Sequence, residues 1–279
     1  MSERCTVGVL GVGAMGEALV SGLLGAGWDP SDISLCVRRK EWADELESRY
    51  GCEARLDPAS AIEGRQMVVV AVKPKDVPDL AQRLAGKVGT DQAVVSLAAG
   101  VTTATYEAAL GEVPVIRAMP NTPALVGYGV TGIAAGRHAT RAHLDLAQHV
   151  LGAVGSVREM DEGLMDAVTA VSGTGPAYVF LLAEAMIEAA MREGLPRDIA
   201  EKFVSETIRG AGHLLTDTQK SPVQLRYEVT SPGGTTAAAM HVLEARGFRA
   251  LVEDAVRAAA QRSAELGRGD QTDQTGGVS

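Results

Sequence analysis

Gly11-Val12-Gly13-Ala14-Met15-Gly16 has the spacing GxGxxG, and its neighbours decide what it can do. Thr6–Leu10 before it is a short, β-branched apolar run, and Ala14–Ala26 after it is Ala- and Leu-rich and reads as a helix. Between strand and helix, Gly11 allows the tight turn, Gly13 lets the backbone approach a pyrophosphate, and Gly16 lets the helix lie close to the strand. The helix start adds unpaired N–H groups and the positive end of the dipole. Outside such a setting the motif is only a Gly-rich turn; here it predicts a dinucleotide site. The tip of the second strand selects which dinucleotide. NAD sites usually place an acid there, but this chain reads Cys36-Val37-Arg38-Arg39-Lys40. A guanidinium at that point can fork onto a 2′-phosphate. Arg38 and Arg39 therefore favour NADPH, with NADH as the weaker cofactor; the plain alternative is a solvated basic run.

Other segments carry chemistry at strand ends and helix starts. Ala71-Val72-Lys73-Pro74, Ser96-Leu97-Ala98-Ala99-Gly100-Val101 and Arg117-Ala118-Met119-Pro120-Asn121-Thr122-Pro123 each close a strand, at the carboxyl edge where open α/β sheets bind ligands. Lys73 and Asn121 read equally well as ordinary loop residues. Later, Val229-Thr230-Ser231-Pro232-Gly233-Gly234-Thr235-Thr236 leads into a helix. Its hydroxyls and free backbone N–H groups suit a small carboxylate. On spacing alone a capping turn, with Thr235 or Thr236 as the N-cap, serves as well. Metal chemistry is not expected: the five histidines lack HExxH spacing, and Cys5, Cys36 and Cys52 form no CxxC pair. The thiols read as small buried apolar groups.

The elements that must position these residues divide the chain in two. Through the first half, Thr6–Leu10, Ile33–Val37, Met67–Val72, Ala93–Leu97 and Val113–Ala118 read as buried strands. Between them Ala14–Ala26, Glu41–Tyr50, Val77–Leu84 and Thr103–Leu110 read as helices, which predicts right-handed crossovers and a parallel, doubly wound sheet. Val130–Ala134 and Ser156–Glu159 add strands around a helix at Arg141–Leu151. From about Asp161 only helices follow: Ala177–Glu193, Arg197–Thr216, Pro222–Glu228, Thr236–Ala245 and Phe248–Leu266, with Gly194 and Pro196 as a stop. Runs such as AYVFLLAEAMIEAAM are apolar on more than one face, and a second subunit is the simplest cover. The fold expected is α/β, an N-terminal Rossmann dinucleotide-binding domain (1–160) followed by an all-helical C-terminal dimerisation and substrate domain (161–267), with a disordered tail (268–279).

Composition agrees. The chain of 279 residues has 46% hydrophobic but only 4% aromatic residues, so Ala, Val, Leu and Ile must build the core. A net charge of −9 argues against a broad nucleic-acid surface. No apolar stretch of membrane-spanning length and no signal-peptide layout is read, so the expectation is a cytoplasmic protein without a membrane partner.

In order along the chain, the glycine motif, the Val-Lys-Pro, Ala-Ala-Gly-Val, Met-Pro-Asn-Thr-Pro and Ser-Gly-Thr-Gly-Pro-Ala-Tyr segments, and the loop at 229–236 with Met240-His241-Val242-Leu243-Glu244 resemble the pyrroline-5-carboxylate reductases. The resemblance runs from Val7 to about Glu265. It implies reduction of 1-pyrroline-5-carboxylate to L-proline by hydride transfer from nicotinamide C4, the last step of proline biosynthesis. It also implies a homodimer, with a decamer of dimers as the larger form allowed, and an active site between cofactor crevice and loop, completed by a second subunit. By position, Leu10, Gly11, Val12, Gly13, Ala14, Met15, Arg38, Arg39, Ala71, Val72, Lys73, Pro74, Leu97, Ala98, Ala99 and Asn121 would serve the cofactor. Ser231, Gly233, Gly234, Thr235 and Thr236 would hold the substrate with Glu162 near them, and the Thr236 hydroxyl would bond the ring nitrogen as the catalytic group. Glu228 stands where many relatives have Asn; an acid there accepts hydrogen bonds but does not donate them as an amide does. Two rivals remain: another NADPH-dependent imine or β-hydroxyacid reductase, and a non-catalytic NADPH sensor. A hydroxyacid enzyme should carry a catalytic Lys on a core helix, and the helix after Ser172 has none. A sensor has no need of the Ser-Pro-Gly-Gly-Thr-Thr loop.

Overall fold

The computed structural model describes residues 5–268. Among them, β1 (Val7–Leu10), β2 (Ile33–Cys36), β3 (Glu53–Arg55), β4 (Met67–Val70), β5 (Ala93–Ser96), β6 (Val115–Met119), β7 (Gly129–Ala135) and β8 (Gly155–Glu159) form one sheet in the order β3-β2-β1-β4-β5-β6-β7-β8. Every pairing is parallel except β6 with β7. Parallel neighbours need crossovers, and α1 (Ala14–Gly25), α2 (Lys40–Tyr50), α3 (Pro58–Ile62), α4 (Val77–Leu84), α5 (Thr103–Leu110) and α6 (Arg141–Leu151) supply most of them. The Val- and Ile-rich strands suit this arrangement because alternate side chains fill two apolar layers. Met67 and Val69 join the layer of Val7, Val9, Ile33 and Leu35, whereas Val68 and Val70 join that of Leu10, Val77 and Leu84. Fully burying one such side chain contributes about 1.5–3 kcal/mol.

The chain forms two compact units, and the first extends past the expected limit at 160. Among the described residues it comprises 5–174 and 258–268. The reason is local packing after β8. There α7 (Met165–Val168) and a π-turn over Thr169–Gly173 bury Met165 and Ala170 completely, and Met160 N–H donates to Ile133 O at 2.9 Å. Three further elements depart from expectation. β3 is a three-residue edge strand, too short and too polar to show a period. α3 is announced only by the N-cap Asp57 and Pro58. Pro114 removes the donor that a strand beginning at Val113 would need, so β6 starts at Val115.

The second unit, Gly175–Arg257, contains α8 (Gly175–Arg192), α9 (Arg197–Asp217), α10 (Pro222–Glu228), α11 (Thr235–Ala245) and the beginning of α12 (Phe248–Arg268). Gly194, at φ +97°, and Pro196 end α8 as expected. α10 opens on a reciprocal cap: Gln224 N–H donates to Ser221 Oγ at 3.3 Å, and Ser221 N–H donates to Gln224 Oε1 at 2.9 Å. α8, α10 and α11 bury no side chain within the chain. An 18-residue window within the helical run 162–192 has a mean hydropathy of 1.3, and the run is long and apolar enough to cross a membrane by length and composition, which reading the sequence did not anticipate. The expected tail, apart from Arg268 at the end of α12, lies outside the described residues.

Candidate active site

The glycine turn joins β1 to α1. Gly11 has φ +92°, and its N–H donates to Cys36 O at 2.9 Å. A Cβ at Gly11 would lie 2.8 Å from Val72 Cγ1, and one at Gly16 would collide with the Gly11 carbonyl. At Gly13 nothing stands within 4 Å, so the space a side chain would take is open to a ligand. Gly13 is also the N-cap of α1, and no side chain caps the helix. The first-turn N–H groups are thereby left for an anion. These features fit the pyrophosphate of a dinucleotide. Trp42, which the motifs do not single out, braces the turn: its Nε1–H donates to Val12 O at 2.9 Å.

Backbone bonds bring the other expected cofactor segments alongside. Ala71 N–H donates to Leu10 O and Leu97 N–H to Val70 O, both at 2.8 Å. Residues 10–15, 71–74 and 97–99 thus follow one another along the carboxyl ends of β1, β4 and β5. Ala98 is buried, Leu97 and Ala99 are half-buried, and Lys73 is exposed. Arg38 reaches out beyond β2 with its side chain 86% exposed, 3.8 Å from Asp76 Oδ2. An exposed pair of that length holds the guanidinium weakly, so Arg38 is free to engage a phosphate. Arg39 is exposed at the start of α2. Asn121 is placed differently. It is 9% exposed, its Nδ2 donates to Ser172 Oγ at 3.2 Å, and its Oδ1 accepts from Val130 N–H at 2.9 Å. Its amide ties the β6–β7 connection to the π-turn.

Glu162 also belongs to the first unit. One carboxylate oxygen accepts from Thr103 N–H at 2.8 Å and the other from Thr103 Oγ1 at 2.7 Å. The carboxylate therefore caps α5. Among the described residues no group of His, Cys, Asp and Glu is arranged to hold a metal ion. The three thiols are buried, and burial pushes each up to about 11, so they are not nucleophiles near neutral pH.

In the second unit, the loop at 229–236 is built by its own turns. Thr230 Oγ1 donates to Arg226 O at 2.6 Å, Gly233 has φ +70°, and Gly234 N–H donates to Ser231 O at 3.1 Å. Gly234 is the N-cap of α11, and no side chain caps that helix. Neither Thr235 nor Thr236 takes the capping role that spacing allows. Among the described residues the hydroxyls of Ser231, Thr235 and Thr236 have no hydrogen-bond partner, and Ser231 and Thr235 are exposed. Three hydroxyls and an uncapped helix start form an anion-receptive group on one turn. Glu228, just before the loop, pairs with Lys220 Nζ at 2.8 Å. Arg226 of α10 reaches Glu244 of α11 at 3.1 Å and braces the two helices that flank the loop.

Comparison with known proteins bears on both units. Residues 6–100 match the family described as NADP oxidoreductase coenzyme F420-dependent, and residues 162–266 match the family described as pyrroline-5-carboxylate reductase dimerisation. A pyrroline-5-carboxylate reductase from Corynebacterium melassecola is 42% identical over 267 residues, covering 94% of this chain and 99% of that protein. The solved structure of a pyrroline-5-carboxylate reductase from Coxiella burnetii superposes with a TM-score of 0.90 at 37% identity, over 95% of this chain and 99% of the other. A pyrroline carboxylate reductase from Plasmodium falciparum with NADP bound gives 0.85 at 27% identity, over 95% and 99%.

Proposed function

The chain belongs to the pyrroline-5-carboxylate reductase family, and from that premise we propose how its residues reduce 1-pyrroline-5-carboxylate to proline with NADPH. The dinucleotide, when bound, supplies a hydride from its nicotinamide. Gly11 makes the turn, Gly16 lets α1 pack against it, Gly13 and the uncapped start of α1 receive the pyrophosphate, and Arg38 pairs with the 2′-phosphate. The half-buried segment Leu97–Ala99, with Ala71–Pro74 beside it, excludes water from the ring. Ser231, Gly233, Gly234 and Thr235 grip the substrate carboxylate, and the Thr236 hydroxyl bonds the ring nitrogen. A protonated imine is already electrophilic, so these groups need only orient it and keep it dry. Glu162, whose two oxygens are occupied at Thr103, acts away from the substrate. Asn121 contributes through the backbone it fixes at Val130, and Glu228 through its ion pair with Lys220 at the edge of the loop.

We further propose that a second copy of the chain covers the apolar helices of the second unit and that such dimers can assemble into a decamer in the cytoplasm. The match of 162–266 to a dimerisation family supports the dimer. One observation carries the catalytic reading: a turn with three unpartnered hydroxyls at an uncapped helix start, in a chain whose other unit holds an open dinucleotide turn. The test is to follow NADPH absorbance with and without racemic pyrroline-5-carboxylate. Oxidation that depends on the imine, with proline as product, is expected. NADPH binding without imine-dependent oxidation would return the reading to a sensor.

A further inference from the structure

Arg117 is a charged side chain within a strand, and it is 5% exposed. Its Nη1 lies 3.7 Å from Glu162 Oε1 and its Nη2 3.3 Å from Asp166 Oδ1. Glu162 in turn holds the backbone N–H and hydroxyl of Thr103. Asp166 accepts from Ser263 Oγ at 2.7 Å, and Ser263 is 3% exposed. One guanidinium, two carboxylates and two hydroxyls therefore connect β6, the start of α5, the 162–168 segment and the last turns of α12. Gly100 closes the arrangement from the other side. It has φ +76°, and a Cβ there would lie 3.0 Å from both Gly267 N and Ser263 O. The end of α12 thus rests on the turn between β5 and α5, while Glu162 holds that turn at Thr103.

Replacing buried ion pairs with apolar side chains often leaves stability unchanged or improved, so stability alone is a weak reason for this network. What it holds supplies a better one. Arg38 at the end of β2 marks the adenosine side of a dinucleotide, and β5 lies on the opposite side of β1. The nicotinamide half then falls to the turn after β5, which is Leu97–Ala99. We propose that Thr103, Glu162, Arg117, Asp166 and Ser263 are positioning residues that set Leu97–Ala99 against the nicotinamide. This rests on the reductase reading above, but it assigns those five residues to the cofactor turn rather than to the substrate. Their bonds act before any imine arrives, so their loss is felt in cofactor binding and turnover and not in affinity for the imine.

The pair Thr103→Val and Thr103→Ser tests this. Valine keeps the shape and the backbone N–H bond and removes the hydroxyl; serine restores it. Calorimetric NADPH titration and steady-state kinetics on the full chain are the readouts, with Ser263→Ala as a second variant at the other end of the network. Thr103→Val is expected to weaken NADPH binding and to lower kcat, together by about tenfold or more, the scale of a small misplacement of reacting groups. Imine KM should stay near wild type, Thr103→Ser should recover both losses, and Ser263→Ala should shift the same two quantities. Wild-type NADPH parameters in Thr103→Val, or a Thr103→Ser as impaired as the valine variant, would overturn the proposal. If the wild-type chain binds NADPH but leaves the imine unreduced, the reductase reading fails, and the calorimetric comparison still decides the positioning role.

Discussion

The two units differ in where their apolar surface goes. In the first, Val7, Val9, Leu23, Ile33, Leu35, Ile116 and Ile133 are at most 1% exposed, and the sheet has a filled layer on each face. In the second, only Ala200 and Val204 are buried, whereas Phe180, Leu181 and Phe203 are 66%, 66% and 65% exposed. A sheet with helices on both faces completes its core from one chain. Helices apolar on more than one face do not, and obligate interfaces look like such a core cut in half. The first unit buries its apolar faces within the chain, and the second leaves its own exposed there, where the proposed second copy would cover them.

The largest expected effect breaks the comparison at its weakest point. Phe180→Glu places a charge on an exposed apolar face of α8 that the proposal buries against a second copy. An unpaired buried charge costs about 3–5 kcal/mol, enough to lower association by two to three orders of magnitude or more. Sedimentation velocity should show monomer at micromolar concentration, with imine-dependent NADPH oxidation lost in parallel. A variant that stays dimeric and active would show that this face is not covered by a mate.

Next in size are two changes that ask whether each unit carries its own half of the chemistry. Thr236→Ala removes one unpartnered hydroxyl from the second unit and should lower kcat about ten- to a thousandfold, the scale of losing one transition-state hydrogen bond. NADPH affinity, read by calorimetry, should not change; unchanged turnover would remove Thr236 from the mechanism. Arg38→Ser acts on the first unit alone. It should raise KM for NADPH by about tenfold, the scale of a charge-assisted bond, and leave KM for NADH nearly as it was. Equal changes for both cofactors would mean that Arg38 does not read the 2′-phosphate.

Much of this division is legible in the sequence because each half obeys one period. β-branched runs such as Met-Val-Val-Val at 67–70 and Ala-Val-Val-Ser at 93–96 are bounded by helix formers, and they fold as buried parallel strands. Helix boundaries at Val77–Leu84, Thr103–Leu110, Arg141–Leu151 and Pro222–Glu228 fall where they were expected, because Pro, Gly and Thr mark them. The glycine turn is legible for a similar reason: spacing and setting together determine which glycines need room and which leave it. What stayed hidden is long-range pairing. Nothing local to Arg117, Asp166 or Ser263 announces that they meet, since the bonds span 49 and 97 residues. Glu162 shows the same limit: nothing local to it announces that its carboxylate accepts from Thr103, 59 residues away. Capping choices were also open, and α11 begins at Gly234 without a side-chain cap although two threonines follow at once.

The smallest expected effect sharpens the comparison from inside the finished unit. Cys5, Cys36 and Cys52 lie in its core at 5%, 8% and 1% exposure, and burial raises each thiol from an ordinary value of 9.0 to about 11. Asp32 adds to the rise at Cys5, while Arg83 opposes it at Cys36 and Arg65 at Cys52. A raised folded value means that the native chain keeps protons the unfolded chain releases. Stability from this source is therefore whole below about pH 9 and is lost as pH rises through about 11. Iodoacetamide at pH 8 should leave all three thiols unmodified in the native protein and modify all three in denaturant, read by intact mass. Between pH 9 and 11 the urea midpoint should fall less steeply in a chain with Cys5, Cys36 and Cys52 replaced by alanine than in the wild type. Rapid native labelling of any one thiol would show that the sheet unit opens locally, and the contrast between a finished unit and an unfinished one would then no longer hold at that edge.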